Sequence, residues 1–213
     1  MSDNLDYRQL TYPNKMSRIM LMAMRDVMGA NGINAVLNTA RLSHLIDAYP
    51  PLDFGPGLNF GEVGQIMEAV EGIYGVQGGQ HLLRQAGHAC FTHGVEGFGV
   101  VLGFADVVLR LLPVSLRAQI GLEVLAEILT RYSSHRVVLG EGTDSLFFVL
   151  EPCGFCAGRS AETPVCSLGV GLVEEMLYWV THGRRFRVEE TTCVACGDPV
   201  CTLCIAKQPL DQG

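Results

Sequence analysis

The chain has 213 residues, 48% hydrophobic and 17% charged, which suits one folded domain, with or without a helical extension, and excludes a disordered polymer. Fifteen Lys and Arg stand against 22 Asp and Glu, and the net charge of −7 argues against a general nucleic-acid binder, which needs a basic surface to displace counterions. The longest run free of charged residues, 27–40, is interrupted by Asn31, Asn34 and Asn38 and falls short of the about 20 apolar residues of a spanning helix, so no membrane span is expected.

The N-terminus, MSDNLDYR, is polar and acidic with no secretion signal, and a cytoplasmic location is expected. Thiols stay reduced there, so closely spaced cysteines point to metal or redox chemistry rather than disulfides.

In chain order, Met16, Met20, Met24 and Met28 recur every four residues and predict a helix ending near Gly29. Residues 49–57, YPPLDFGPG, read as a connector. Val63, Ile66, Met67, Val70, Ile73 and Tyr74 share one side of a second helix, broken at Gly75 to Gly79 before a third with Leu82, Leu83 and Ala86. Residues 100–112 read as helix despite Asp106 and Arg110, and another helix is predicted over 120–132. Beyond this the period changes. Residues 135–140 and 146–150 form a hairpin around Glu141-Gly142-Thr143-Asp144. A helix follows over 166–180, with Gly183 where a left-handed residue would end it. Phe186 and Val188 alternate with Arg187 and Glu189 as a half-buried strand, and a last strand runs over about 200–206. The fold class is therefore α+β. A helical layer packs on an antiparallel sheet, with strand-strand-helix-strand-strand at the C-terminal end. Residues 1–60 are expected to be a helical segment that dimerises through the methionine stripe, and residues 61–207 the ligand-binding domain.

Seven of the eight cysteines crowd into residues 153–204. In a hairpin centred on Gly197, Cys193 and Cys201 lie opposite one another on one face, with Cβ atoms ~5 Å apart. That spacing lets two thiolates share a tetrahedral metal. Alternation turns Cys204 to the other face, and Cys196 falls in the turn. Cys166 opens a helix, where the dipole favours a thiolate. Cys153, with Cys156 as the alternate, follows a strand end that can reach the same rim. The expected ligands are Cys153, Cys166, Cys193 and Cys201, within 150–204, and Glu190 is placed to orient one of them. Zinc is the expected ion; the surplus cysteines keep a 4Fe-4S cluster as the alternative. There is no glycine-rich phosphate loop, no G-x-S-x-G elbow and no catalytic dyad, so no catalytic residue is assigned.

Residues 190–201, ETTCVACGDPVC, resemble the C-terminal signature of the 4-vinyl reductase domain family, E-T-x-C-x-A-x-G-D-x-x-C. Pro164-Val165-Cys166 and the helix with Gly169 and Gly171 are similar to that family too, and the resemblance covers about 146–206. It implies a fold like the TRAPP trafficking subunits, a hydrophobic cavity, and metal ligation by Cys166, Cys193 and Cys201.

The function expected from all this is a non-enzymatic sensor or carrier. A small hydrophobic or aromatic molecule would sit between helices and sheet beside a structural zinc site. A homodimer is expected, with output through an unidentified protein partner. Two alternatives remain at this stage: an iron–sulfur redox sensor or electron-transfer protein, and an accessory factor or reductase acting on vinyl tetrapyrroles.

Overall fold

The structure is a computed structural model that describes residues 6–109 and 111–210, with side chains described for 6–96 and 111–210. The elements, in order, are β1 (Thr11–Pro13), α1 (Asn14–Thr39), β2 (Pro56–Asn59), α2 (Phe60–Tyr74), α3 (Val76–Leu109), α4 (Val114–Tyr132), β3 (Arg136–Glu141), β4 (Ser145–Glu151), α5 (Ser167–Val180), β5 (Phe186–Thr192) and β6 (Cys201–Pro209).

Local sequence explains most of the boundaries. Asn59 and Glu62 form a capping box at the start of α2: the Asn59 side chain accepts from the Glu62 amide at 2.9 Å, and the Glu62 carboxylate accepts from the Asn59 amide at 2.8 Å. At the end of α5, Gly183 has φ +93° and its amide donates to the Tyr178 carbonyl at 2.8 Å, which is the helix stop expected from its position. Two expectations for the helices change. The first helix does not end at Gly29; the chain kinks there (φ 72°, ψ 168°) and continues helical to Thr39. The break expected over 75–79 contracts to Gly75, and α3 then runs unbroken through residues 100–109, while the side chains of Asp106 and Arg110 lie outside the described residues. The connector at 49–57 runs into β2, which pairs with β1 in a two-stranded sheet that hydrophobic periodicity did not reveal.

The main sheet has the order β3-β4-β6-β5 and every pairing is antiparallel. Its strands alternate. Phe148 and Leu150 on β4, Cys201, Leu203 and Ile205 on β6, and Phe186 and Val188 on β5 are all buried. That face meets α5, so the α+β reading holds: helices pack on an antiparallel sheet.

α3 and α5 pack closely because glycines face each other. A Cβ on Gly171 would lie 2.0 Å from the Arg84 carbonyl oxygen, and one on Gly87 would lie 2.2 Å from the Leu168 carbonyl oxygen. Arg84 on α3 pairs with Glu174 on α5, and His88 Nε2 lies 3.0 Å from the same carboxylate. The methionine stripe turns inward: Met20 and Met24 are buried, and Met16 and Met20 line an internal cavity. The stripe expected to join a second copy serves this chain's own interior instead. Among the described residues, no helix is long and apolar enough to cross a membrane.

Candidate functional site

Two features meet at the upper end of α5. One is a cage of thiols. The strand end after β4 supplies Cys153 and Cys156, the start of α5 supplies Cys166, the end of β5 leads to Cys193, and β6 begins at Cys201; all five are buried. Cys153 Sγ is 3.5 Å from Cys166 Sγ, Cys156 Sγ is 3.3 Å from Cys201 Sγ, and Cys166 and Cys201 are 3.8 Å apart. A tetrahedral ion with bonds of about 2.3 Å to sulfur needs sulfurs roughly 3.8 Å apart, so the cage has the dimensions of a single-ion site.

The donors fall into two overlapping sets, each with its ligand atoms within 4.8 Å of one another: Cys153, Cys156, Cys166 and Cys201, and Cys166, Glu190, Cys193 and Cys201. Of the four expected ligands, Cys166 and Cys201 belong to both sets, Cys153 to the first and Cys193 to the second. Cys156, expected only as an alternate, stands with Cys153 rather than in its place. Glu190 is part of the donor set itself. Sequence held the signal for this: Glu190 continues the inward series Phe186 and Val188 on β5. Cys196 is exposed in the turn and Cys204 is half-buried on the other face of β6, as alternation predicted.

Electrostatics inside the cage follow from burial and sulfur proximity. Burial first, then the neighbouring Cys156, raises the Cys153 thiol. Hydrogen bonds from Cys153, Cys166, Cys193 and Cys201 push the Cys156 thiol down. Glu190 is pushed up to about 8 by burial, although its Oε2 accepts the Cys166 amide at 2.7 Å. Its Oε1 is buried with no hydrogen-bond partner among the described residues.

The second feature is an apolar cavity of about 210 Å³. Its walls are Met16, Ile19 and Met20 on α1; Cys90, Phe91, Gly94 and Val95 on α3; Ile120 to Leu129 on one side of α4; and Leu172, Met176 and Trp179 on α5. Tyr12, Leu168 and Phe155 close the end nearest the cage. The cavity thus lies among four helices, not between helices and sheet as expected, because the inward faces of β4, β5 and β6 are filled by their own large side chains. Phe155 sits between Cys153 and Cys156 in sequence and joins cavity to cage.

Behind Tyr12 lies a buried relay. The His135 Nδ1 is 2.8 Å from the Pro152 carbonyl oxygen and must carry the proton, so Nε2 accepts from the Tyr12 hydroxyl at 2.6 Å. Burial lowers His135 from 6.5 to about 4, against the opposing pull of the Pro152 carbonyl. The unfolded chain takes up this proton as pH falls through 6.5, while the fold keeps His135 neutral down to about 4. Stability is therefore full above pH 6.5, and this group removes about 3 kcal/mol of it between pH 6.5 and 4. Urea unfolding at pH 7 and pH 4.5 should show a loss in the natural chain that is smaller in His135→Gln.

No family model matches the chain, and no curated protein matches it. Solved structures do match. An Fe(II) unliganded H-NOX protein mutant from K. algicida is 14% identical, covers 94% of this chain and 97% of its own, and gives a TM-score of 0.54. A T. tengcongensis H-NOX mutant is 14% identical, covers 92% of this chain and 100% of its own, and gives 0.51. A structure titled for heme distortion in the H-NOX family is 15% identical, covers 94% and 98%, and gives 0.52. The chain has the fold of H-NOX domains.

Two expectations are corrected by this. The resemblance to the 4-vinyl reductase family and to TRAPP subunits is overturned: the matching structures are H-NOX domains, and a twelve-residue cysteine motif does not determine a fold of this length. The zinc, and the 4Fe-4S alternative, are overturned with it. The structures that share the fold are titled with heme and Fe(II), and converging thiols do not by themselves name an ion. The vinyl-tetrapyrrole alternative rested on the family name and falls too.

Heme, which that fold brings into view, does not fit the described residues of this cavity. Heme iron takes an axial histidine, thiolate, methionine with histidine, or tyrosinate. Among the described lining residues there is no histidine, the Tyr12 hydroxyl is engaged by His135, and the one thiol, Cys90, is buried in apolar surroundings that push it up to about 12. Nor does any described lysine or arginine line the cavity to receive the propionates.

Proposed function

We propose that this chain is a non-enzymatic module that binds a small hydrophobic molecule in the cavity among α1, α3, α4 and α5 and passes the bound state to a partner protein. The observation that carries this reading is the cavity itself. It is lined by aliphatic, methionine and aromatic side chains, and its Ser17 hydroxyl is already engaged by the Pro13 carbonyl and the Leu58 amide. An apolar space of about 210 Å³ is below the roughly 300–1,000 Å³ of drug-sized sites and matches a one- or two-ring molecule. Binding would press on Phe155 and Leu168, one between cage cysteines and the other two residues beyond Cys166, and so reach the cage and the β5–β6 turn.

The test is a titration with 1-aminonaphthalene, a neutral two-ring molecule whose emission shifts to the blue on leaving water. Saturable binding at one site per chain is expected. Gly94→Phe should weaken it at least tenfold, because a Cβ at Gly94 meets nothing within 4 Å and a ring there fills the cavity without strain. Absence of saturable binding would sink the proposal.

The same proposal covers the thiol cage as residues, with no ion assigned: Cys153, Cys156, Cys166, Cys193 and Cys201, with Glu190, serve as donors for one soft metal ion. Cobalt(II) is the probe, read by its thiolate-to-metal charge-transfer band. Cys166→Ser and Cys201→Ser, which enter both donor sets, should each weaken binding at least hundredfold, while Cys204→Ser should leave it unchanged. Comparing Cys153→Ser with Cys193→Ser then decides between the sets.

A further inference from the structure

We infer that the cavity selects its ligand by absence of charge, so that this chain carries the H-NOX fold with a pocket whose described residues suit a neutral hydrophobic molecule and not heme. The inference rests on the cavity being the binding site and narrows what enters it. Three observations converge. Among the described lining residues there is no His, Lys, Arg, Asp or Glu. The hydroxyls that reach the wall, Tyr12 and Ser17, are satisfied from behind by His135 and by the backbone of residues 13 and 58, so neither is a free donor for an incoming anion. Among the described residues, Arg84 and His88 on α3 pair with Glu174 on α5, and His93 lies 2.6 Å from Asp26; none of these five lines the cavity.

A carboxylate entering such a space leaves its water and meets no counter-charge or hydrogen-bond donor, so its desolvation is not repaid by contact. Heme brings two such groups, and its iron would find among the described walls only a Tyr12 hydroxyl already held by His135 and the buried Cys90 thiol as axial donors. A neutral ring loses only apolar hydration on entry, and the same walls favour it. Size argues the same way: the cavity, at about 210 Å³, is below the roughly 300–1,000 Å³ that accepts drug-sized ligands, and a four-pyrrole macrocycle is larger than most of those.

The chain supplies its own reporter. Trp179 is the single tryptophan, lies on the cavity wall and is tilted against Phe91 with ring centroids 6.1 Å apart. The 213-residue chain is titrated at pH 7.5 with naphthalene and with 1-naphthoate, which differ by one carboxylate, and Trp179 emission is followed. Hemin is titrated separately by absorbance. Naphthalene should bind saturably, naphthoate at least a hundredfold more weakly, and hemin should give no sharp band of ligated iron. Naphthoate binding within tenfold of naphthalene would overturn the inference and leave the binding module standing. So would a one-to-one ligated hemin spectrum that Gly94→Phe abolishes. If neither naphthalene nor naphthoate binds, the module reading fails and the inference with it.

Discussion

Gly171→Val is expected to lower the unfolding free energy by about 4 kcal/mol, beyond the usual range for overpacking. An added Cβ would meet the Arg84 carbonyl oxygen at 2.0 Å, its carbon at 2.9 Å and its Cα at 3.1 Å. These are backbone atoms of a long helix, and no rotamer change moves them aside. α3 and α5 must separate, and Gly87 against the Leu168 carbonyl shows that the closeness extends over most of a turn on each helix. Because Phe91 and Leu172 face the cavity from these two helices, the same substitution should loosen the ligand site as well as the fold. Gly72→Ala is the contrasting case. Its Cβ meets nothing within 4 Å, and exchanging a helix-interior glycine for alanine should leave stability equal or raise it by up to about 1 kcal/mol. Urea denaturation followed by circular dichroism checks both.

Where local chemistry alone determined structure, the sequence could be read. The hairpin at 135–150, helix α5 with its Gly183 stop, and the alternation that separates Cys201 from Cys204 each depend on residues a few positions apart, and each appears in the structure. The thiol convergence was legible for the same reason, since Cys193 and Cys201 flank one turn. What could not be read depends on long-range contact. The cavity is made by four helix faces that each look like ordinary core, and nothing in the spacing of Met16, Phe91 or Leu172 says that their tips stop short of one another. The β1–β2 pairing joins strands of three and four residues more than forty positions apart, too short for a period to show. The family resemblance misled for a related reason. It rested on a cysteine motif and its neighbours over about 146–206, whereas the overall likeness to H-NOX structures extends over more than nine-tenths of the chain.

Arg159→Met should cost about 4 kcal/mol and, in the same stroke, unlatch half of the thiol cage. Arg159 lies on the loop that leaves Cys156, and its Nη2 is 2.5 Å from Glu71 Oε2 on α2, with side chains only 5% and 12% exposed. Removing one partner of a buried ion pair leaves the other charge without compensation, which typically costs about 3–5 kcal/mol. The geometry here is also incomplete: Arg159 Nη1 and Glu71 Oε1 are buried with no hydrogen-bond partner among the described residues. A pair so imperfectly satisfied is replaceable, and the double variant Arg159→Met with Glu71→Leu should recover most of the loss. The consequence for the cage follows from connectivity. The Arg159 amide donates to the Cys156 carbonyl at 3.1 Å, and Ala161 donates to the Ala195 carbonyl at 2.9 Å, so this loop is held at α2 on one side and at the cysteine turn on the other. With the α2 anchor gone, Cys153 and Cys156 lose a support, whereas Cys201 stays fixed by the β4–β6 ladder through its pairing with Leu150. Alkylation followed by peptide mass spectrometry should therefore show Cys153 and Cys156 reacting faster in Arg159→Met than in the natural chain, with Cys201 little changed. Equal acceleration at all three cysteines would mean that the pair holds up the whole domain and not this loop, and the double variant should then restore protection to all of them together.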